Sequence, residues 1–272
     1  MIDLHCHMLP GIDDGSPDEA TSLAMARMAV QDGIRTTACT PHIYPGLYEN
    51  EASDIRVRVA ALQARLDAEG IALRLTVGAD AHLTPELLSR LHGATAPTLH
   101  GGRYFLLEPP HHVAPPRFEE SVFSFLAEGY VPVITHPERL TWFADHYAVF
   151  KRLALNGAWM QVTAGSLTGR FGSGPKVSGK RLLEAGLVHI LATDSHDLRE
   201  RAPRLAEGRD AAARLVGRDE AHRLVNERPQ AILDNTLPAH VTPIPALARS
   251  ADATDDETAG FWQRLWGRRR HS

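Results

Sequence analysis

The sequence predicts an α/β fold, a closed or nearly closed (β/α)7 barrel with its chemistry at the C-terminal ends of the strands. Three observations carry that expectation. Strand-like and helical segments alternate seven times, a pattern that builds a parallel sheet. The strand segments are apolar along their whole length, as strands covered on both faces are. No G-x-G-x-x-G follows the first strand, which argues against a doubly wound dinucleotide-binding sheet.

The first strand spans residues 2–7. A helix over 17–32 follows, with Ser16 as N-cap, Pro17 in its first turn and Gly33 just past its end. The second strand, 36–40, leads to a helix over 51–69 closed by Gly70, and the third, 73–79, to a short helix over 85–91. The fourth strand, 104–108, is followed by a helix over 118–128 and Gly129. The fifth, 131–135, precedes a helix over 147–155 and Gly157. The sixth, 159–162, is separated from its helix, 176–184, by a Gly-rich stretch, 169–174. That stretch lacks the Lys-Ser/Thr ending of a phosphate-binding loop and reads as a mobile active-site loop. After the seventh strand, 188–192, two further helices are expected over 203–216 and 218–227.

The chain's 272 residues suit one barrel, and 43% hydrophobic with 23% charged residues is a soluble globular composition. The net charge of −4, from 29 basic and 33 acidic residues, gives no electrostatic footprint for nucleic acid. Cys6 and Cys39 each end a buried strand and read as small core residues, not a disulfide. The chain opens directly into a strand without a basic n-region, and no apolar run approaches the ~18 residues of a membrane span. A cytoplasmic location is expected. The barrel domain is expected over 1–235. Residues 236–272 read as a flexible linker ending in a basic aromatic tail, Phe261-Trp262-Gln263-Arg264-Leu265-Trp266 with Arg268-Arg269-Arg270. That tail reads as disordered or as a peripheral contact to an anionic membrane or a partner.

Fifteen histidines are a high count for this length. His5 and His7 lie two apart on one strand and so share a face. Donor residues recur at strand ends: Asp13 and Asp14 after the first, His42 after the second, Asp80 after the third, Glu108 closing the fourth, His136 after the fifth, Asp194 and His196 after the seventh. In a barrel these ends converge on one mouth. Clustered carboxylates there would repel one another unless divalent cations supplied the missing charge. Mixed imidazole and carboxylate donors suit Mn²⁺, Fe²⁺ or Zn²⁺, and nine donors exceed the needs of one ion, so two or three are inferred.

The set His5-x-His7, Asp14, His42, Asp80, Glu108, His136, Asp194 and His196 resembles the nine-ligand signature of PHP-domain metal-dependent phosphoesterases. The segments Asp13-Asp14-Gly15, His136-Pro137-Glu138-Arg139, Gln161-Val162-Thr163-Ala164-Gly165-Ser166-Leu167 and Ala192-Thr193-Asp194-Ser195-His196 before Arg201-Ala202-Pro203 narrow the likeness. They resemble the bacterial manganese-dependent protein tyrosine phosphatases of capsule and exopolysaccharide clusters, the CpsB/YwqE type, over about residues 1–235. The resemblance implies a PHP-type distorted (β/α)7 barrel. It implies one ion on His5, His7, Asp80 and Asp194, a second on Asp80, Glu108 and His136, and a third on Asp14, His42 and His196, with Mn²⁺ the first choice. It implies that Arg139 and Arg201 grip the phosphate, a role suited to guanidinium forks. It further implies phosphotyrosine hydrolysis on a protein, a bacterial tyrosine kinase controlling polysaccharide export, by attack of water in line with the leaving oxygen. Asp14 or His42 is the candidate for passing a proton to that oxygen.

Two positions depart from the pattern. Position 80 carries aspartate where the family usually has glutamate, which puts the bridge between two ions in question or calls on His82. His111 and His112 follow Glu108 and read as surface-loop residues, with a role beside the metals or substrate as the alternative. Cys6 lacks the C-x5-R loop of cysteine phosphatases, so a thiol nucleophile is excluded. The rival readings are a phosphatase for a small phosphate monoester such as histidinol phosphate, and an inactive scaffold. A nuclease is disfavoured by the acidic charge.

Overall fold

The computed structural model describes residues 1–249. Nine short strands run β1 (Ile2–Cys6), β2 (Thr36–Cys39), β3 (His42–Ile43), β4 (Arg74–Val77), β5 (Asp80–His82), β6 (Tyr104–Glu108), β7 (Val131–Thr135), β8 (Trp159–Thr163) and β9 (Ile190–Ala192). The α-helices whose two ends are both described are α1 (Glu19–Gln31), α2 (Ala52–Ala68), α3 (Leu87–His92), α4 (Phe118–Ala127), α5 (Tyr147–Leu155), α6 (Ala164–Thr168), α7 (Ser173–Glu184), α8 (Ala206–Val216), α9 (Arg218–His222) and α10 (Arg228–Leu233). A π-helical turn, Arg223–Glu227, joins the last two, so the helix expected over 218–227 continues to Leu233.

The pairings between these strands are all parallel, in two ladders: β1-β2-β4 and β3-β5-β6-β7-β8-β9. The seven expected strands are present, but the second and third are each kinked into two pieces. Pro41 has no N–H for the ladder, and a Cβ at Gly78 would lie 2.8 Å from Leu99 Cδ2. Hydrogen bonds nevertheless carry across both kinks, from Gly78 N–H to Cys39 O and from Asp80 N–H to Pro41 O, each 3.1 Å. Cys6 and Cys39 sit opposite one another in register, both buried and free, as expected of core residues.

The barrel closes where the chain beyond β9 meets β1. Asp194 N–H donates to His5 O at 2.8 Å and His7 N–H to Ser195 O at 2.9 Å. Below them the buried Asp3 carboxylate accepts from Thr193 N–H at 2.9 Å and from its hydroxyl. The result is a distorted seven-strand barrel. Tyr104, Leu106, Val133, Trp159 and Ile190 form a buried apolar cluster with Leu4, Ala38 and Ile232 of α10. Glu108 and Gln161 continue the faces of Leu106 and Trp159, two residues on, and therefore emerge above this floor. The opposite faces, including Phe105, Leu107, Met160 and Val162, pack outward against the helices.

Two expectations are corrected. Asp18, not Ser16, caps α1, its carboxylate accepting from Thr21 N–H at 2.8 Å, because Ser16 is turned inward onto Ser22. The Gly-rich stretch is a turn at Gly169–Gly172, and Ser173 already begins α7. Past residue 235 the chain still touches the barrel: Tyr104 hydroxyl donates to Thr236 O at 2.7 Å, Ala246 N–H to Gly186 O at 3.1 Å, and Ile244 is buried. The aromatic and basic tail lies outside the described residues.

Candidate metal centre

All nine predicted donors converge on the mouth of the barrel. His5 Nε2 lies 3.3 Å from both Asp80 Oδ2 and Asp194 Oδ1. His7 Nε2 lies 3.5 Å from Asp194 Oδ1 and 3.1 Å from His5 Nε2. Asp14 Oδ1 stands 3.5 Å from His42 Nε2 and 3.4 Å from His196 Nε2. His42 Nδ1 reaches Glu108 Oε2 at 3.3 Å, whereas His136 Nε2 is 3.9 Å from both Asp80 Oδ2 and Glu108 Oε1. The donors gather into overlapping groups, His7–Asp14–His42–His196, His5–His7–Asp80, His42–Asp80–Glu108 and Glu108–His111–His136. The shorter Asp80 thus leans toward His5 and away from His136. His82 stands at the rim, its Nδ1 3.6 Å from Glu108 Oε2 and its ring stacked on Tyr44.

Two orienting residues had no role assigned from sequence. Asp13 Oδ2 accepts from His7 Nδ1 at 2.7 Å, and Gln161 Oε1 accepts from His5 Nδ1 at 3.0 Å. With protons held at both Nδ1 atoms, both Nε2 atoms point into the cluster, where each can take up a proton or bind an ion. Their 3.1 Å separation would be repulsive without positive charge between them. It matches the spacing of about 3.0–3.4 Å for two nitrogens bound to one ion at about 2.1 Å. Gln161 Oε1 also accepts from His136 N–H at 3.3 Å, so one amide sets two candidate ligands. A buried glutamine within an otherwise apolar strand was the available signal. For Asp13 the signal was Gly15, whose Cβ, if present, would lie 2.2 Å from His7 O and force the acidic turn away.

The backbone is strained at two donors, His136 at φ 34° and Asp194 at φ 51°. Non-glycine residues there cost about 1–3 kcal/mol and persist where the surroundings hold them. The electrostatics point to missing cations. Asp80 is fully buried, and neither of its carboxylate oxygens has a hydrogen-bond partner. His42 Nδ1 and His196 Nε2 likewise make no hydrogen bond, although carboxylate oxygens stand 3.3 and 3.4 Å away. Such groups are costly to bury, and divalent ions satisfy them. The donor set fits.

Burial drives the His5 pKa down, but Asp80 and Asp194 overcome it and lift it to about 9. Burial likewise opposes charge on His42, and Glu108, Asp80 and Asp14 raise it to about 10. Glu108 is held at about 2 because His42 and His82 outweigh burial and the repulsion of Asp80. Protons on His5 and His42 therefore stand in for cations at neutral pH. A metal binds only neutral imidazole, so loading expels those protons. Affinity for Mn²⁺ is expected to rise with pH up to about 9–10, by about one log unit per pH unit for each displaced proton. Calorimetry in buffers of different ionisation enthalpy measures this, and proton release near zero at pH 7 would contradict it.

Both predicted arginines reach the cluster. Arg139 Nη1 and Arg201 Nη2 donate to the same oxygen, Asp194 Oδ2, the latter at 2.7 Å. Arg139 lies over the ring of Phe171, 4.3 Å from its centroid, so the Gly-rich turn supplies a backing plate for the guanidinium. Arg201 is placed by a loop folded back on itself, with His196 N–H donating to Arg201 O at 2.8 Å. Beside the donors opens a cleft of about 420 Å³ walled by Tyr44, Leu47, Tyr48, His111 and Val113. Cys6 takes no part. Burial raises its thiol pKa well above the ordinary range, and Ser195 Oγ lies 3.0 Å from its sulfur.

A closed parallel barrel with an imidazole–carboxylate cluster and two guanidiniums at its mouth defines a metal-dependent hydrolase. Sequence comparison narrows the class. The family model described as capsular polysaccharide synthesis, CpsB/CapC, matches residues 1–234, and the chain belongs to that family. It is 39% identical to the tyrosine-protein phosphatase YwqE of Bacillus subtilis over 201 residues, 74% of this chain and 79% of the relative. It is 30% identical to the tyrosine-protein phosphatase CpsB of Streptococcus pneumoniae over 244 residues, 87% of this chain and all of the relative. A crystal structure reported with YwqE and CpsB as metal-dependent tyrosine phosphatases superposes with a TM-score of 0.85 at 34% identity, covering 90% of this chain and 98% of the other. The phosphotriesterase of Mycobacterium tuberculosis shares the fold, with a TM-score of 0.51 at 12% identity over 86% of this chain and 94% of the other.

Proposed function

We propose that the protein is a metal-dependent protein-tyrosine phosphatase acting in capsular or exopolysaccharide synthesis. The observation that carries this reading is the pairing of nine imidazole and carboxylate donors with two arginines on Asp194, beside an aromatic-walled cleft. His5, His7, Asp80 and Asp194 would hold one ion, Asp80, Glu108 and His136 a second, and Asp14, His42 and His196 a third. Mn²⁺ is the first choice, and Fe²⁺ and Zn²⁺ suit the same donors. When bound, the ions neutralise phosphoryl charge and lower the pKa of water.

The chain's own groups do the rest. Asp13 and Gln161 hold the tautomers of His7 and His5. Arg139 and Arg201 clamp the equatorial phosphoryl oxygens and stabilise the charge of the transition state. Tyr44, Tyr48 and Leu47 wall a cleft that admits a phenyl ring and excludes water from one side of it. Asp14 and His42 line the edge of that cleft, and as ligands of the third ion they would orient a water that passes a proton to the leaving oxygen rather than give one up themselves. A phenolate needs little such help, which suits phosphotyrosine. The substrate would be a phosphotyrosine segment of a bacterial tyrosine kinase. A cytoplasmic site of action agrees with the described residues, in which no helix is long and apolar enough to cross a membrane.

The test is a comparison of kcat/KM for a phosphotyrosine peptide, a phosphoserine peptide and histidinol phosphate, with Mn²⁺-loaded protein. The phosphotyrosine peptide is expected to lead by at least about tenfold. A preference for histidinol phosphate, or no turnover by protein shown to carry its ions, overturns the reading.

A further inference from the structure

The loop after β6 brings a donor to the cluster beyond the nine. We propose that His111 is a tenth metal ligand, completing the shell of the ion held by Glu108 and His136. This deepens the metal-centre reading and rests on it.

One ligand atom from each of Glu108, His111 and His136 lies within 4.8 Å of the other two. Donors sharing an ion at about 2.1 Å sit no more than about 4.2 Å apart. An adjustment of about half an ångström therefore gathers all three around a cation, within the reach of side-chain torsions. The His111 and His136 rings are 5.2 Å apart between centroids. This is also the part of the cluster most in need of a donor. Asp80 Oδ2 is 3.3 Å from His5 Nε2 but 3.9 Å from His136 Nε2, and Glu108 Oε1 is also 3.9 Å from His136. An ion there gets weak support from Asp80.

The loop holds His111 in place by its backbone. Thr141 N–H and hydroxyl donate to His111 O at 3.0 and 3.2 Å, and Trp142 Nε1–H donates to Pro110 O at 2.8 Å. These bonds run through carbonyls and leave the imidazole free to turn to the cation. Pro109 and Pro110 stiffen the approach from Glu108. His111 is half-buried, whereas the adjacent His112 is exposed and belongs to none of the donor groups. His112 therefore serves as the internal control.

The experiment uses the full chain, stripped of metal and reloaded with Mn²⁺. Ions per chain are counted by mass spectrometry after desalting, and affinity is measured by calorimetry. His111→Ala and His111→Gln are expected to lose one ion on desalting, or to bind it about ten- to a hundredfold more weakly. His112→Ala should match the parent. Circular dichroism establishes that each variant is folded, and the glutamine variant covers failure of the alanine one. Full stoichiometry with unchanged affinity in a folded His111 variant overturns the proposal and leaves the nine-donor centre standing. A parent chain that retains no Mn²⁺ overturns the centre itself.

Discussion

Asp194→Asn is expected to lower kcat/KM for a phosphotyrosine peptide on the order of 10³-fold and to remove at least one bound ion. The change is nearly isosteric, and asparagine tolerates the left-handed backbone at φ 51°, so the barrel should survive. The charge does not survive. Asp194 Oδ1 faces His5 Nε2 at 3.3 Å and His7 Nε2 at 3.5 Å, while Oδ2 receives both arginines. Arg201, His5 and Arg139 overcome burial to hold this carboxyl well below its ordinary pKa, so it is an anion throughout the working range. A neutral amide turns a donor NH2 either to the metal side or to the guanidiniums, and one set of partners is lost in either orientation. Loss of one preorganised electrostatic partner typically costs about 10²–10³ in rate, and the ion adds to that. Steady-state kinetics with a metal count decides the matter. Activity within tenfold of the parent, with all ions retained, would contradict the role.

The second large effect is expected from the arginines. The double variant Arg139→Ala with Arg201→Ala should lose on the order of 10³-fold in kcat/KM while keeping its full ion complement, since neither side chain is a metal donor. This separates them from Asp194. Lysine at 139 should restore little, because a compact ammonium can neither make the bidentate fork nor stack flat on the Phe171 ring 4.3 Å away. A loss below tenfold, or a change in bound metal, would show that the guanidiniums serve Asp194 rather than the phosphate.

The nine donors were legible because each stands at a strand end, where a barrel converges. The strand count was legible from apolar runs punctuated by glycine. The kinks were not, because neither Pro41 nor Gly78 marks its effect without knowledge of which strands lie beside it. Asp18 displaced Ser16 as the helix cap because Ser22 offered Ser16 a buried partner, a contact no local pattern encodes. Gln161 was quoted within a motif, yet its work depends on His5 and His136, far away in sequence. His111 read as a surface residue since a Pro-Pro-His-His stretch has loop composition. Only the hydrogen bonds of Thr141 and Trp142 turn that loop inward.

The closing seam has a consequence for biosynthesis. Asp3 clamps Thr193, a residue 190 positions later, and His5 meets Asp194 across the same seam. The first donors emerge from the ribosome at the outset and wait for partners made near the end. A chain still being synthesised holds imidazoles without Asp194, and so without the point on which both guanidiniums converge. The centre is therefore complete only when the last strand docks on the first. Such long-range closure is a slow event in folding. The full donor set is a property of the finished barrel, since Asp194 and His196 join it only with the last strand.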